Sequence, residues 1–327
     1  MIAFQQTPDT FFVTEQLLYP ISGTGRYTFC RIQKKDCSTR EAKQRISEMT
    51  GVPIKHINHA GMKDTAATAV QWFSWPKNMT RREPTDTSKM RILEISAHEN
   101  TLSIGHVARN QFELILQCDQ PDPDLERLNS QFPNYYGPQR FAGKQITYEN
   151  LGDIMARPSR QTGAAVPQSF LFNEFLRSRI ESVGTIPNPD DLWSPNNGKR
   201  CFAAEWDDDL QARYDSGAIA PTGPIYGYKM KTTPNELTFL AEAGLETESF
   251  RAWGKSARGA RRPLFIKPQA HILNQSDGKL RLSLTLPTGA YATVYLLHLF
   301  VPDLLKKPYT FWPNFLNQVV FEGASLG

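Results

Sequence analysis

HAGMKDTAATAVQWFSW, residues 59–75, is the stretch on which the reading of this chain turns. A short apolar lead runs to Gly61, a Lys63–Asp64 pair follows, and small residues then give way to an alternating aromatic run. A carboxylate with small neighbours, just past a glycine-marked turn, can approach another molecule closely. An isolated aspartate in a glycine-containing loop also serves as an ordinary turn or helix-cap residue. Residue types alone leave both uses open. The aromatic run predicts a strand over 70–75, and 54–60 predicts another leading into the loop. Asp64 is therefore expected on a loop held between rigid elements.

Upstream, TFFVTEQLLY (10–19) and YTFCRIQ (27–33) alternate as strands with turn residues between them, which predicts a hairpin. Ser38-Thr39-Arg40-Glu41 is a capping-box pattern that opens a helix with Ala42, Ile46 and Met49 on one face. Gly51 and then Pro53 supply its stop. Downstream, residues 76–88 read as an exposed loop. Strands are predicted at 91–96, 102–107 and 112–118, the last two joined by a turn at Ala108-Arg109-Asn110. Helices follow at 124–131, 168–181, 207–214 and 236–243, and strands at 262–269 and 279–286. Between 150 and 258 the character changes, with scattered turn residues and a Pro/Asn/Asp-rich passage at 187–198.

A second informative stretch, PNYYGPQRFAGKQ, occupies 133–145. The Asn134 amide can hydrogen-bond a carboxylate or a base edge, an aromatic two residues on can stack a base, and Arg140 can hold a phosphate or a carboxylate. The same residues would also suit a tight turn packing aromatics into a core.

The bulk properties set limits. The 327 residues suffice for two domains or one large one, and 40% hydrophobic with 21% charged residues is an ordinary globular composition. No apolar run approaches the roughly 20 residues that span a bilayer, and the N-terminal residues lack a signal-peptide pattern. A cytoplasmic protein with no membrane partner is expected. Four cysteines without a C-x-x-C pair, and histidines without ligand spacing, suggest no metal site. The formal charge of +4 is compatible with a nucleic-acid partner without requiring one. Basic residues gather at 31–35 with Arg40, at Arg81 and Arg82, and at 255–262 with Lys267. Each cluster reads as a solvated face or as a surface that follows phosphates while aromatics stack bases.

The 59–75 stretch resembles the central motif of the TruD family of tRNA pseudouridine synthases, roughly G-x-K-D-x-x-A-x-T-x-Q-x-x-S. Gly61, Lys63, Asp64, Ala67, Gln71 and Ser74 stand at those spacings, with Ala69 where threonine is usual. PNYYGPQRF is similar to the family's P-N-Y-F-G-x-Q-R-F, and PTGAYATVYLLHLF (287–300) to its P-x-G-S-F/Y-A-T-x-x-x-R-E-L, with Leu297 and His298 in the Arg-Glu places. The resemblance implies an α/β (α+β) pseudouridine-synthase fold, a mixed and mainly antiparallel sheet flanked by helices. A catalytic domain of 1–150 and 259–327 would carry an inserted TruD-type domain at 151–258. It implies Asp64 as the catalytic aspartate, Asn134 and Tyr136 positioning and stacking the target, and Phe11 and Tyr291 lining the pocket. Lys63 and Arg140 would contact phosphate or carboxylate. A lysine that family members often place six residues before the aromatic matching Phe11 is Gln5 here, and Arg140 or Lys63 is expected to replace it. The substrate implied is tRNA, with a D-stem uridine (position 13) as target, acted on by a monomer.

Converting uridine to pseudouridine breaks N1–C1′, turns the uracil and joins C5 to C1′. Every atom is kept, so no cofactor or metal is required, and one ionised aspartate suffices as nucleophile or base. A glycoside hydrolase would need two carboxylates across the bond. Two other readings stay open: an RNA-binding or RNA-folding protein that lost catalysis on the same fold, and a small-molecule hydrolase using Asp64.

Overall fold

The computed structural model describes residues 2–118, 124–141, 145–158, 163–195, 200–312 and 319–321. Residues 142–144 of the second motif and 196–199 of the Pro/Asn/Asp-rich passage lie outside these. In chain order the elements are β1 (Ile2–Phe4), β2 (Phe11–Leu17), β3 (Tyr27–Lys35), α1 (Thr39–Thr50), β4 (Asn58–His59), β5 (Thr68–Pro76), β6 (Met90–His98) and β7 (Val107–Cys118). Then come α2 (Leu125–Leu128), β8 (Phe132–Pro133), α3 (Tyr148–Ala156), α4 (Ala165–Val183), β9 (Leu192–Pro195), β10 (Phe202–Ala203), α5 (Asp208–Asp215) and β11 (Ile219–Ile225). The series ends with α6 (Pro234–Glu242), β12 (Ala260–Pro263), β13 (Phe265–Ile266), β14 (Gln269–Ser276), β15 (Lys279–Pro287), α7 (Ala292–Phe300) and β16 (Val319–Phe321). Chain contacts divide these into two units, one of Met1–Asp122, Gln269–Gly289 and Leu316–Gly327, the other of Pro123–Pro268 and Ala290–Phe315.

The first unit is built on a mixed sheet with the order β14-β15-β7-β2-β5-β3-β6. β2 and β5 run parallel, and the other pairs along this path are antiparallel. Strand alternation decides which side chains meet α1. Cys30 and Ile32 of β3 and Phe73 and Trp75 of β5 join Ala42 and Ile46 of α1 in one buried cluster, while Phe29 and Trp72 face the other side with Leu102 and Val107. The α1 helix begins as expected, with the Ser38 hydroxyl accepting from the Glu41 N–H at 3.0 Å, and ends at Gly51 in the left-handed region, φ 76°.

Several expectations fail. The strand expected over 54–60 is a 3-10 turn at Ile54–His56 followed by only the two-residue strand Asn58–His59. β2 and β3 do not form a hairpin, because β5 lies between them and pairs with both. Residues 18–26 therefore step across an intervening strand. The predicted turn at Ala108-Arg109-Asn110 is instead the interior of β7, where Arg109 and Asn110 pair with both β2 and β15. The chain turns earlier, at Gly105 with φ 92°, where glycine carries the positive φ that none of those three residues adopts. Residues 102–106 consequently form no strand.

In the second unit α4 is buried on nearly all sides from Pro167 to Leu176, so it is a core helix rather than the amphipathic one expected. A sheet of order β10-β9-β11-β12 and the short pair β13-β8 complete the unit. No helix among the described residues is long and apolar enough to cross a membrane.

Candidate active site

Asp64 lies in the irregular segment between β4 and β5, and its side chain is exposed. Buried polar groups hold the segment at successive residues. The Gly61 carbonyl accepts from Gln71 Nε2 at 2.6 Å and contacts His59 Nδ1 at 2.8 Å. Gln71 Oε1 accepts from the Thr39 hydroxyl at 3.1 Å, and that hydroxyl accepts the Lys63 N–H at 3.0 Å. Thr39 and Gln71 are fully buried. Their positions follow from the elements that carry them: Gln71 shares the α1 face of β5 with Phe73 and Trp75, and Thr39 opens α1. Gly61 itself has no positive φ, and the Cβ that a larger residue would bring meets only ordinary contact. The turn is thus made by hydrogen bonds and not by glycine geometry.

Two lysines lie close to the loop. Lys63 Nζ pairs with Glu15 Oε2 at 2.7 Å, with both side chains buried. Glu15 Oε1 also accepts the Trp72 N–H at 2.6 Å. Burial pushes the Glu15 carboxyl up from the usual range against the pull of Lys63 and of the Trp72 N–H. Lys34, fully buried, donates to the Asp64 carbonyl at 2.9 Å and to the Cys37 carbonyl. Burial raises the Asp64 carboxyl, and Lys34 and then Lys63 draw it back down. The solvent that reaches its side chain limits how far desolvation can carry it.

Lys34 was missed from sequence, where residues 31–35 read as a surface cluster. The signal was present, because strand alternation places Lys34 on the face of Cys30 and Ile32. Phe11 turns out to be enclosed, 4% exposed, and packs against Phe4 and Phe112 at ring separations of 6.1 and 5.7 Å. It supports the sheet from within and offers no open ring.

In the second unit, Tyr136 is the centre of a tight cluster. Its backbone N–H donates to Asn173 Oδ1 at 2.8 Å and its carbonyl accepts from Asn173 Nδ2 at 2.9 Å, so one buried side chain of α4 fixes the peptide on both sides. The Arg262 guanidinium lies 4.1 Å from the ring centroid, and Arg140 lies 5.2 Å from it. Phe172 and Tyr291 meet the ring edge-on at 5.6 and 6.1 Å. Tyr136 is only 8% exposed. Gly137 sits tightly here: a Cβ would come within 2.5 Å of Gln139 Oε1 and 3.2 Å of the Tyr291 ring, so the Gln139 side chain would have to move aside.

Asn134 is engaged at both ends of its amide, donating to the Pro263 carbonyl at 2.8 Å and accepting from Arg262 Nη2 at 2.6 Å. Buried at 3% exposure, it ties Pro263 and Arg262 into the cluster. Arg140 is exposed, with Nε donating to the Ser169 hydroxyl at 3.0 Å. Tyr291 is half-buried. The basic run at 255–262 divides: Lys255 and Arg258 are exposed, Arg261 pairs with Glu236, and Arg262 is buried beneath Tyr136. His298 is also buried, hydrogen-bonded to the Ser130 hydroxyl at 2.9 Å, and burial pushes its imidazole down to about 4. Asn173 and Arg262 are the supporting residues that sequence reasoning passed over. No group of three or more His, Cys, Asp or Glu side chains suited to a metal occurs among the described residues.

Comparison with known proteins bears on family and fold. The family model "tRNA pseudouridine synthase D (TruD)" matches residues 2–166 and 163–298. Proteins named tRNA pseudouridine synthase D from Chromohalobacter salexigens and Thermus thermophilus are 31% and 30% identical to the chain. The first alignment covers 92% of this chain and 93% of the relative, the second 88% and 86%. The crystal structure of a protein described as TruD from Methanosarcina mazei superposes with a TM-score of 0.63 over 90% of this chain and 93% of that one, at 18% identity, which shows the shared fold. The chain belongs to the tRNA pseudouridine synthase D family and is an enzyme of the pseudouridine synthase class.

Proposed function

We propose that this protein converts a uridine of tRNA to pseudouridine with Asp64 as the acting carboxylate, and that the uridine lies in the D-stem, at position 13. The observation that carries the reading is the construction of the Asp64 loop. An exposed carboxylate stands on backbone that Gln71, Thr39 and Lys34 tie down, beside one cation already matched by Glu15. A turn or cap residue needs no such support. A carboxylate that must meet C1′ within covalent reach, or take a proton from the sugar, does. The reaction keeps all substrate atoms, so the work left to the protein is extruding the base, holding it and stabilising charge.

Arg140 supplies an exposed guanidinium for phosphate, and Tyr291 supplies ring surface. Tyr136 and Asn134 act by shaping the second unit around those groups, and Phe11 acts by supporting the sheet of the first. Lys63 orients the loop through Glu15. Residues 1–150 with 259–327 are assigned as the catalytic domain and 151–258 as the insert, and the enzyme is assigned to the cytoplasm as a monomer.

The test is pseudouridine formation on a tRNA pool, mapped site by site, with wild-type protein and Asp64→Asn. A D-stem signal that falls by at least about a thousandfold in the variant is the expected result. Signal at another position overturns the D-stem assignment and keeps the enzyme. Product formed by Asp64→Asn at the wild-type rate overturns the role of Asp64. A wild-type protein that binds tRNA without forming product would leave the RNA-binding reading instead.

A further inference from the structure

The Lys34 ammonium presents a problem that the fold does not explain. A buried cation is ordinarily matched by a carboxylate, because moving it out of water costs several kcal/mol. Lys34 is fully buried, and among the described residues it has no carboxylate within 4 Å. It donates to two neutral backbone carbonyls, of Cys37 and of Asp64. Lys63, the other cation at the loop, is neutralised by Glu15 at 2.7 Å. The groups facing Lys34 are few. Cys37 comes from the residue before the α1 cap, and burial holds its thiol in the neutral form. Glu41, from the first turn of α1, is bound to Arg45 at 2.9 Å and lies 3.9 Å from Lys89. Lys63 and Asp64 come from the loop itself. Of these, Asp64 alone is an anion not already paired.

We propose that Lys34 is a positioning residue for the reaction: it pins the Asp64 backbone through the carbonyl and supplies the unmatched positive charge that keeps the Asp64 carboxylate ionised. The proposal rests on Asp64 being the acting carboxylate. It also accounts for the placement of a lysine on the inward face of β3, where a leucine or methionine would complete the packing without desolvating a charge. Ionisation matters because only the carboxylate can attack C1′ or accept a proton. Being buried, the Lys34 charge is screened by salt less than a surface charge would be.

The test is the pH dependence of single-turnover pseudouridine formation in the full-length protein, for wild type, Lys34→Gln and Lys34→Met. Glutamine retains an N–H donor for the carbonyls and removes the charge; methionine removes both. The expected result is that the acid limb of the rate profile moves to higher pH by about one unit in each variant, with tRNA affinity unchanged. The rate at the lower end of the range then falls about tenfold and recovers at higher pH. The direction follows from the chemistry: without Lys34 the carboxyl holds its proton to higher pH.

A loss uniform across pH, or an unmoved limb with the wild-type rate, overturns the proposal. Should neither variant fold, carbon-13 titration of the Asp64 carboxyl in the wild type and in Lys63→Met decides. A midpoint that stays near the wild-type value on loss of Lys63 supports Lys34, and one that rises by a full unit assigns the effect to Lys63 and overturns it. If Asp64→Asn remains active, the role of Asp64 falls; if Asp64→Asn is inactive while the Lys34 variants keep the wild-type profile, the Lys34 proposal falls alone.

Discussion

Around Asp64, the side chain offered to solvent is a small carboxylate, and what holds it is buried and polar: Lys34, Thr39, Gln71 and the Glu15–Lys63 pair. Around Tyr136, the motif aromatic is itself enclosed, and its supports are an arginine on the ring, two aromatic edges and one amide on the backbone. The side chain left in solvent there is Arg140. A motif match therefore names residues of two kinds without distinguishing them. Some lie open to solvent, and others are enclosed and hold their neighbours in place. Burial and partner atoms separate the two: Asp64 and Arg140 are exposed, while Tyr136, Asn134 and Phe11 are enclosed.

The largest effect that would break this contrast lies in the polar network. Glu15→Gln places an amide opposite the Lys63 ammonium and leaves that cation buried without its anion. Breaking such a pair costs about 3–5 kcal/mol. Urea denaturation is expected to show a loss in that range, and tRNA modification should fall with it because the loop loses an anchor beside Asp64. A loss below about 1 kcal/mol would mean that the pair is solvated in solution and that the loop stands on its remaining hydrogen bonds.

The corresponding change in the aromatic cluster is Arg262→Lys. The charge is kept, but an ammonium cannot lie flat on the Tyr136 ring while reaching both the Asn134 carbonyl and its side-chain oxygen, at 3.0 and 2.6 Å in the native arrangement. A stability loss of about 1.5–3 kcal/mol is expected from the broken charge-assisted bonds. If lysine proves neutral, the site requires only positive charge, and the cluster would resemble the Lys34 arrangement more closely than the geometry indicates.

The two regions also differ in how much of them the sequence revealed. The loop position of Asp64, the α1 cap and stop, and the strand that follows the loop come from short-range pattern, whereas the mixed α/β class came from the motif resemblance. Pairing between distant segments does not. Nothing near Glu15 in the chain announces Lys63, and nothing in β2 or β3 says that β5 will come between them. Residues 108–110 looked like a turn because Asn-containing tripeptides often are, yet pairing on two sides overrode that local preference. Lys34 is the instructive miss. Its alternation with Cys30 and Ile32 pointed inward, but a run of basic residues suggested a surface. Arg262 repeats the case within 255–262. In both, a cation inside a charged run had left its neighbours for the interior, and the strand period was the better guide.

The smallest expected effect sharpens the contrast from the solvent side. Arg140 is exposed, its Nε is held by the Ser169 hydroxyl, and its guanidinium lies 5.2 Å from the Tyr136 ring. Arg140→Met keeps the aliphatic stem and removes the charge. An exposed cation near an aromatic contributes about 0.5–1 kcal/mol, so unfolding free energy should change by no more than that. Binding should respond in a different way: tRNA affinity falls a few-fold at low salt, and the slope of log affinity against log salt decreases by about one, the signature of one lost phosphate contact. An unchanged slope would show that Arg140 serves the protein and not the RNA. A stability loss as large as that of Arg262→Lys would place both arginines among the supports, and the presenting group of the second unit would then have to be sought at Tyr291.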